Sequence, residues 1–296
     1  MNKSVVVFWG LAAACGGGGD STPDAPNRAC QDMGGSACFQ LPTAPVSTRD
    51  GAPSALGCGA VMPATATAAL KITGTVATYG ANKPVADATI KLYSSPDYST
   101  PFSTATSAAD GTYSIDIPVG TPELLFGEYT APGYLVAFPQ AGRPSFQNGD
   151  ITGFKLPLIT PDNIESLALL VKEIWDPAAA VVAGYVYDCN REVVMHATVV
   201  LSTTSGTRTF APRASMYFGS AGVVPIVAPP DERWDTNDNG AFAAFHVQAS
   251  DPLYLQAWGF ADAAAQAKGE AGLTLLAEQK VHIETNGFGN VSLWAH

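Results

Sequence analysis

The sequence predicts an all-β protein, with two Greek-key-type β-sandwiches in tandem joined by a short amphipathic helix. Three observations carry that expectation. A stretch at residues 72–117 returns in degenerate form at residues 182–247. Within the copies apolar and polar residues alternate with a period of two, the pattern of strands with one face buried. Glycine and proline number 29 and 22 in 296 residues while 14% of the chain is charged, which suits short strands between many turns and argues against coiled coil or charged disorder.

The first copy reads ITGTV, then NKPVADATIKLYSS, then ADGTYSIDI; the second reads VAGYV, REVVMHATVVLSTTS and DNGAFAAFHV. Each opens on a strand with a central glycine, Gly74 or Gly184, and re-enters through Ala-Thr at Ala88-Thr89 or Ala197-Thr198. Each then turns at Asp110-Gly111 or Asn239-Gly240, where the backbone needs residues tolerant of a left-handed conformation. Tyr113, Ile115 and Ile117 place one apolar face inward; Phe242, Ala244 and His246 are their counterparts. Phe245 and Val247 are apolar on the other side, so this strand is expected to be covered on both faces or bulged. Further strands at residues 124–129, 134–138 and 154–159 complete the first sandwich at about seven.

The period changes over residues 160–175. Thr160 suits a helix cap, Pro161 the first helical position and Asp162 the positive end of the dipole. Ile164, Leu167, Leu170, Val171 and Ile174 fall on one face, and Asp176-Pro177 ends the run. Residues 262–268 allow about two turns of helix, with closing strands at 273–278 and 281–284. The expected organisation is therefore 1–14 as an export signal, 15–67 as a Gly/Pro-rich tether with a small disulfide-stapled patch, 68–160 as the first sandwich, 161–178 as a helical connector and 179–296 as the second sandwich.

The net charge is −11 with pI near 4.6, and no cluster of Lys and Arg interrupts it. Nucleic acid and anionic headgroups, which need cationic surface, are poor partners. No apolar run reaches the roughly 20 residues that span a bilayer.

The N-terminus is basic at Lys3, apolar over residues 5–14, and then meets Cys15. Leu11-Ala12-Ala13-Ala14-Cys15 resembles the lipobox of bacterial lipoproteins, although leucine sits one place earlier than the usual pattern. A buried N-terminal strand is the competing reading. The glycine run at 16–19 and the Ser-Thr-Pro-Asp that follows favour a tether. The resemblance implies acylation (palmitate) at Cys15 and a lipid anchor in the cell envelope, with an outer-membrane lean and the membrane face left open. Cys30, Cys38, Cys58 and Cys189 then form an even set in an exported protein, open to two disulfides in three possible pairings. Cys30–Cys38 with Cys58–Cys189 is the preferred one.

Gly-x-Val, then Pro-Val-x-x-Ala-Thr-Ile-x-Leu, Ala-Asp-Gly-Thr-Tyr-Ser-Ile and Ala-Pro-Gly-Tyr resemble carboxypeptidase-regulatory-like domains, the transthyretin-like sandwiches of exported bacterial proteins. The likeness spans residues 70–159 well and 180–296 less well, since Val193-Val194 replaces the usual proline exit. It implies an accessory, adhesive or spacer role. The segment around Glu128 also resembles the acid of adhesin B-type repeats, which join Lys to Asn by an isopeptide bond. Here Val76 occupies the lysine's place.

No catalytic constellation emerges, and no enzyme is expected. The four histidines lack zinc-ligand spacing, and neither a nucleophile elbow nor a phosphate loop occurs. No cofactor is expected. Asp235, Asn237 and Asn239 match the first half of a calcium loop, but His246 stands where the bidentate Glu belongs, so no metal is assigned. Recognition is expected of the second sandwich, through Phe210, Tyr217, Phe218, Trp234 and Trp258. These rings either pack onto the sheet or form an exposed patch. The expected partner is an unknown envelope protein; a glycan stacked on those aromatics, with Tyr254, is the alternative.

Overall fold

The computed structural model describes residues 41–57, 64–146, 149–171, 173–209, 215–220, 223–225 and 235–295. The first half supplies β1 (Leu70–Thr78), β2 (Thr89–Tyr93), β3 (Ser103–Thr106), β4 (Thr112–Ile117), β5 (Phe126–Thr130), β6 (Val136–Gln140) and β7 (Ile151–Leu158). Helix α1 (Pro161–Leu170) follows. The second half supplies β8 (Ala180–Tyr187), β9 (Thr198–Ser202), β10 (Ser215–Ser220), β11 (Val223–Pro225), β12 (Ala241–Val247), β13 (Tyr254–Gly259), a one-turn helix α2 (Ala263–Gln266), β14 (Thr274–Lys280) and β15 (Gly287–Trp294). The all-β expectation holds.

The strands form two three-stranded sheets, β4-β1-β7 and β14-β13-β9, and one nine-stranded sheet ordered β11-β10-β12-β8-β15-β6-β5-β2-β3. That large sheet runs through both halves. Its joint is β15, which pairs in parallel with β8 of its own half and with β6 of the other. Directly paired residues share a face, so Ile90, Tyr129, Ala137, Phe288 and Val181 form one row across five strands. Ile90, Tyr129 and Ala137 pack against β4-β1-β7, and Val181 packs under α1. The opposite face offers Val182, Ala244, Val291 and Leu293 to Val199, Leu201, Leu255 and Ala257 of the other small sheet. The two small sheets thus cover opposite faces of one continuous sheet.

The repeat read from the sequence is structural. β1 lies antiparallel to β4 and parallel to β7; β8 lies antiparallel to β12 and parallel to β15. The central glycines press on the parallel neighbour, and a Cβ would lie 1.8 Å from Phe154 O at Gly74 and 1.8 Å from Val291 O at Gly184. Glycine is required at both by that contact. Each copy also holds a buried hydroxyl staple. Ser107 Oγ donates to Val85 O (2.7 Å) and accepts from Ala88 N (2.9 Å). Thr236 Oγ1 donates to Val194 O (2.7 Å) and accepts from Ala197 N (2.9 Å).

The halves are locked at the joint. Gln140, 1% exposed, donates through Nε2 to His282 O (2.7 Å) and accepts from His282 N (2.8 Å). Tyr98 stacks on the His282 ring at 4.6 Å, and Trp294 Nε1 donates to Ala141 O (2.8 Å).

Four elements differ from the sequence reading. The helix keeps its predicted start, where Thr160 and Asn163 form a reciprocal capping box, but it ends at Leu170. Val171 and Glu173 both donate backbone N–H to Ala168 O, a tightened last turn that breaks the helical spacing before Ile174. Ile164 and Val171 are buried as predicted, whereas Leu170 and Ile174 are 46% and 80% exposed. Residues 281–284 are not a strand; the closing strand is β15, whose inward places at Gly287 and Gly289 carry no apolar signal. Thirdly, residues 41–57 do not trail as a tether. They lie along the second half, with Val46 N donating to Phe260 O (2.9 Å) and Met195 N to Ser47 O (2.8 Å). Fourthly, α1 lies on the nine-stranded sheet over Val181, Ala243 and Phe245, in addition to linking the halves. β12, by contrast, is covered on both faces as expected, with Phe242 and Ala244 in one core and Ala243 and Phe245 in another.

Candidate functional site

The outer face of β13 carries Tyr254, Gln256 and Trp258 in alternation, as a period of two requires. Gln256 is fully buried and donates from Nε2 to Thr204 O (3.0 Å) and Glu278 Oε2 (2.7 Å). Glu278 also accepts from Ser205 Oγ (2.5 Å) and Gly206 N (2.7 Å). Trp258 Nε1 donates to Gln256 Oε1 (3.1 Å), and the Arg208 guanidinium lies 5.3 Å over its ring. Arg208 in turn reaches Glu270 Oε1 at 2.6 Å. This network fastens the 203–209 turn onto the sheet. Its polar groups bond one another.

Of the predicted rings, the structure describes the side chains of Phe218 and Trp258. Phe218 is 8% exposed and belongs to the core beneath β10, opposite Phe242. Tyr217 takes its place on β10 opposite Ala243. Phe210 and Trp234 lie outside the described residues, as do Cys15, Cys30, Cys38 and Cys58.

Asp235 is fully buried. Its Oδ2 accepts from Thr43 N and Thr43 Oγ1 (each 2.7 Å), with His196 Nδ1 at 3.5 Å. Burial acts to raise its pKa, but the hydrogen bonds from His196 and Thr43 outweigh that and hold it below the ordinary carboxylate value. The hydroxyl, the imidazole nitrogen and the carboxylate converge on one another, and Thr43 Oγ1 meets the same Nδ1 (3.2 Å) that faces Asp235. A proton relay needs the two ring nitrogens to serve different partners, so this is a latch for residues 41–57. Asn239 Oδ1 accepts from Ala241 N (3.0 Å), as Asp110 Oδ1 accepts from Thr112 N (3.0 Å) in the first copy. Asn237 Oδ1 accepts from Asp238 N (2.9 Å). Asn237, Asn239 and Asp235 Oδ2 are thus engaged in turn and latch bonds, whereas Asp235 Oδ1 and Asp238 Oδ1 are buried without a hydrogen-bond partner among the described residues. Among the described residues no group of three His, Cys, Asp or Glu could hold a metal ion.

Glu128 sits between Lys91 Nζ (2.7 Å) and Tyr93 Oη (2.8 Å). Burial acts to raise its pKa, yet these two partners bring it below the usual value, while burial and the Glu128 bond push the Tyr93 phenol up. Val76, at the place an isopeptide lysine would take, is fully buried. Lys71 pairs instead with Asp116 at 2.6 Å on the exposed side. Lys91 and Tyr93 were not singled out by sequence; their period-two spacing on β2 is the signal that was there to find.

No family model matches this chain, and neither does any curated protein. Among solved structures, the shaft pilin SpaA of Lactobacillus rhamnosus GG aligns at 10% identity and TM-score 0.24, over 77% of this chain and 98% of that one. A streptococcal ancillary pilin aligns at 7% identity and TM-score 0.22, over 77% of this chain and 68% of that one. Likeness of that degree carries no functional weight.

Proposed function

We propose that the chain is a non-enzymatic cell-envelope lipoprotein whose β-sandwich modules, of the carboxypeptidase-regulatory-like kind, serve as a stiff accessory, adhesive or spacer unit. The observation that carries this reading is the nine-stranded sheet shared by both modules, sealed by β15 and the Gln140–His282 pair. A spacer or presenting platform needs fixed relative placement of its modules, and a continuous hydrogen-bonded sheet supplies it. Anchoring rests on the sequence around Cys15, with the outer membrane favoured. A Cys58–Cys189 clasp is part of the proposal; what supports it is the placement of Cys189, whose N–H donates to Ala55 O (3.0 Å), close in sequence to Cys58. Its test is non-reducing peptide mapping, in which a Cys58–Cys189 cross-linked peptide is expected and any other partner for Cys189 refutes the pairing.

A glycan-stacking role has less behind it. Phe218 is core, and Trp258 already has Arg208 over its ring. Two experiments test the reading. Mass spectrometry of the membrane fraction is expected to find acyl mass on Cys15 and to lose it in Cys15→Ser; unchanged membrane retention of that variant refutes the anchor. A pull-down with residues 41–296 from envelope extract, run beside a glycan array, is expected to retain protein; array binding alone reverses the choice between partner classes.

A further inference from the structure

Because β6 pairs with β15, the first sandwich does not close along β7. A seam remains between β7 on one side and β6 and β15 on the other. It opens into a cavity of about 210 Å³ under β4-β1-β7, lined by Ile90, Ile115, Tyr129, Ala137 and Leu156 among others. A second cavity of about 120 Å³ lies under α1, with Leu167, Val171, Tyr185 and Phe245 in its walls. Pro157, Phe288 and Asn290 line both, so the two abut end to end across β15. Their floor crosses β2, β5, β6, β15, β8 and β12, five strand spacings or about 24 Å at ~4.8 Å each. Together they follow an elongated path along the sheet.

Its charge is as telling as its shape. The chain carries −11, yet no Asp or Glu lines either cavity, and Lys155 is the cation in the lining. Asn290 and Ser292 add neutral polar groups to the same lining. Such a site has apolar walls with a few polar groups to fix orientation, the usual composition of a small-molecule pocket. An elongated apolar channel with one cation and no anion matches a single-chain amphiphile with an anionic head. We propose that the seam binds a fatty acid, its carboxylate held near Lys155 and its acyl chain running over β15 past Asn290. The proposal stands on the seam alone and does not depend on the anchoring or adhesive reading.

The test uses the full chain carrying Cys15→Ser, in detergent-free buffer, with a dansyl-labelled undecanoate as probe. Saturable one-to-one binding is expected, with displacement by dodecanoate. Asn290→Trp, at an exposed strand position, blocks the passage between the cavities and is expected to weaken binding at least tenfold, roughly the loss of several buried methylenes. Lys155→Gln is expected to weaken dodecanoate by about tenfold, the scale of one charge-assisted hydrogen bond, while leaving dodecanol unchanged. Absence of saturable binding overturns the proposal. So does wild-type affinity in Asn290→Trp with an unaltered thermal melt; Ser292→Trp serves as the second block if the first variant melts early. Equal weakening of dodecanoate and dodecanol by Lys155→Gln overturns the assignment of the head.

Discussion

Strands β7 and β15 are the same element in two settings. Each closes its copy of the repeat, runs parallel to the first strand of that copy, and lies against its central glycine. β15 pairs with β8 in unbroken register from Phe288 to Trp294 and accepts β6 on its other edge. β7 has an irregular register between Ile72 and Gly74, with Gly153 at φ +70°, and carries Lys155 and Pro157 on a largely exposed strand. A bulge, a lysine and a proline are the devices that keep a sheet edge from recruiting another strand. The comparison teaches that one strand position acts as a joint when regular and as a stop when kinked.

The largest test exchanges the same charge into equivalent places. Val291 faces Gly184 as Phe154 faces Gly74, but Val291 is fully buried and Phe154 is 44% exposed. Val291→Asp is expected to destabilise by about 4 kcal/mol, the cost of an unpaired buried charge. Phe154→Asp is expected to stay within about 1 kcal/mol. Urea unfolding measures both; equal losses break the comparison.

Next come the hydroxyl staples. Ser107→Ala and Thr236→Val each strip the same two backbone bonds, and each is expected to cost about 1–3 kcal/mol. Near-equal values sharpen the equivalence of the copies, and a difference greater than the combined error by calorimetry dissolves it.

A smaller effect follows from Asp235. Its pKa is depressed in the fold, so its contribution is present above the unfolded carboxylate value, about 4, and fades as pH falls through the lower folded value. The stability gap between wild type and Asp235→Asn is expected to narrow on acidification below about pH 4. A gap that widens there contradicts the latch.

The smallest expected effect is also the most direct on β7. Deleting Gly153 together with Pro157→Val is expected to produce weak, concentration-dependent association in sedimentation velocity. A strictly monomeric variant at all concentrations means that these residues are not what guards the edge.

Much of the repeat was legible because strand alternation and turn chemistry are local. Tyr113, Ile115 and Ile117 announce a buried face, and Thr160-Pro161 announces a helix start. The joint was not legible. β15 reads as GFGNVSLW, and glycines at two of its four buried positions, Gly287 and Gly289, shorten the apolar alternation to Val291 and Leu293. Gln140 and His282 are 142 residues apart, so nothing local pairs them. The helix end was missed for a related reason, since Leu170 and Ile174 continue an apolar stripe that the tightened turn at Ala168 interrupts. At the candidate site, Asp235 was singled out for a cation but faces Thr43, a contact across 192 residues that spacing alone does not reveal.

The placement of residues 41–57 along the second module has a consequence for the order of assembly. Thr43 and Ala55 wait for Asp235 and Asp188, 192 and 133 positions later, and β6 waits for β15. Contacts of such span form late and slowly, since loop-closure entropy is spent before they return anything. The chain therefore stays without its latch and its joint until nearly all of it is free to fold. A polypeptide threaded through a narrow channel from its N-terminus would remain loose enough to pass, and would set only when its final strand emerged.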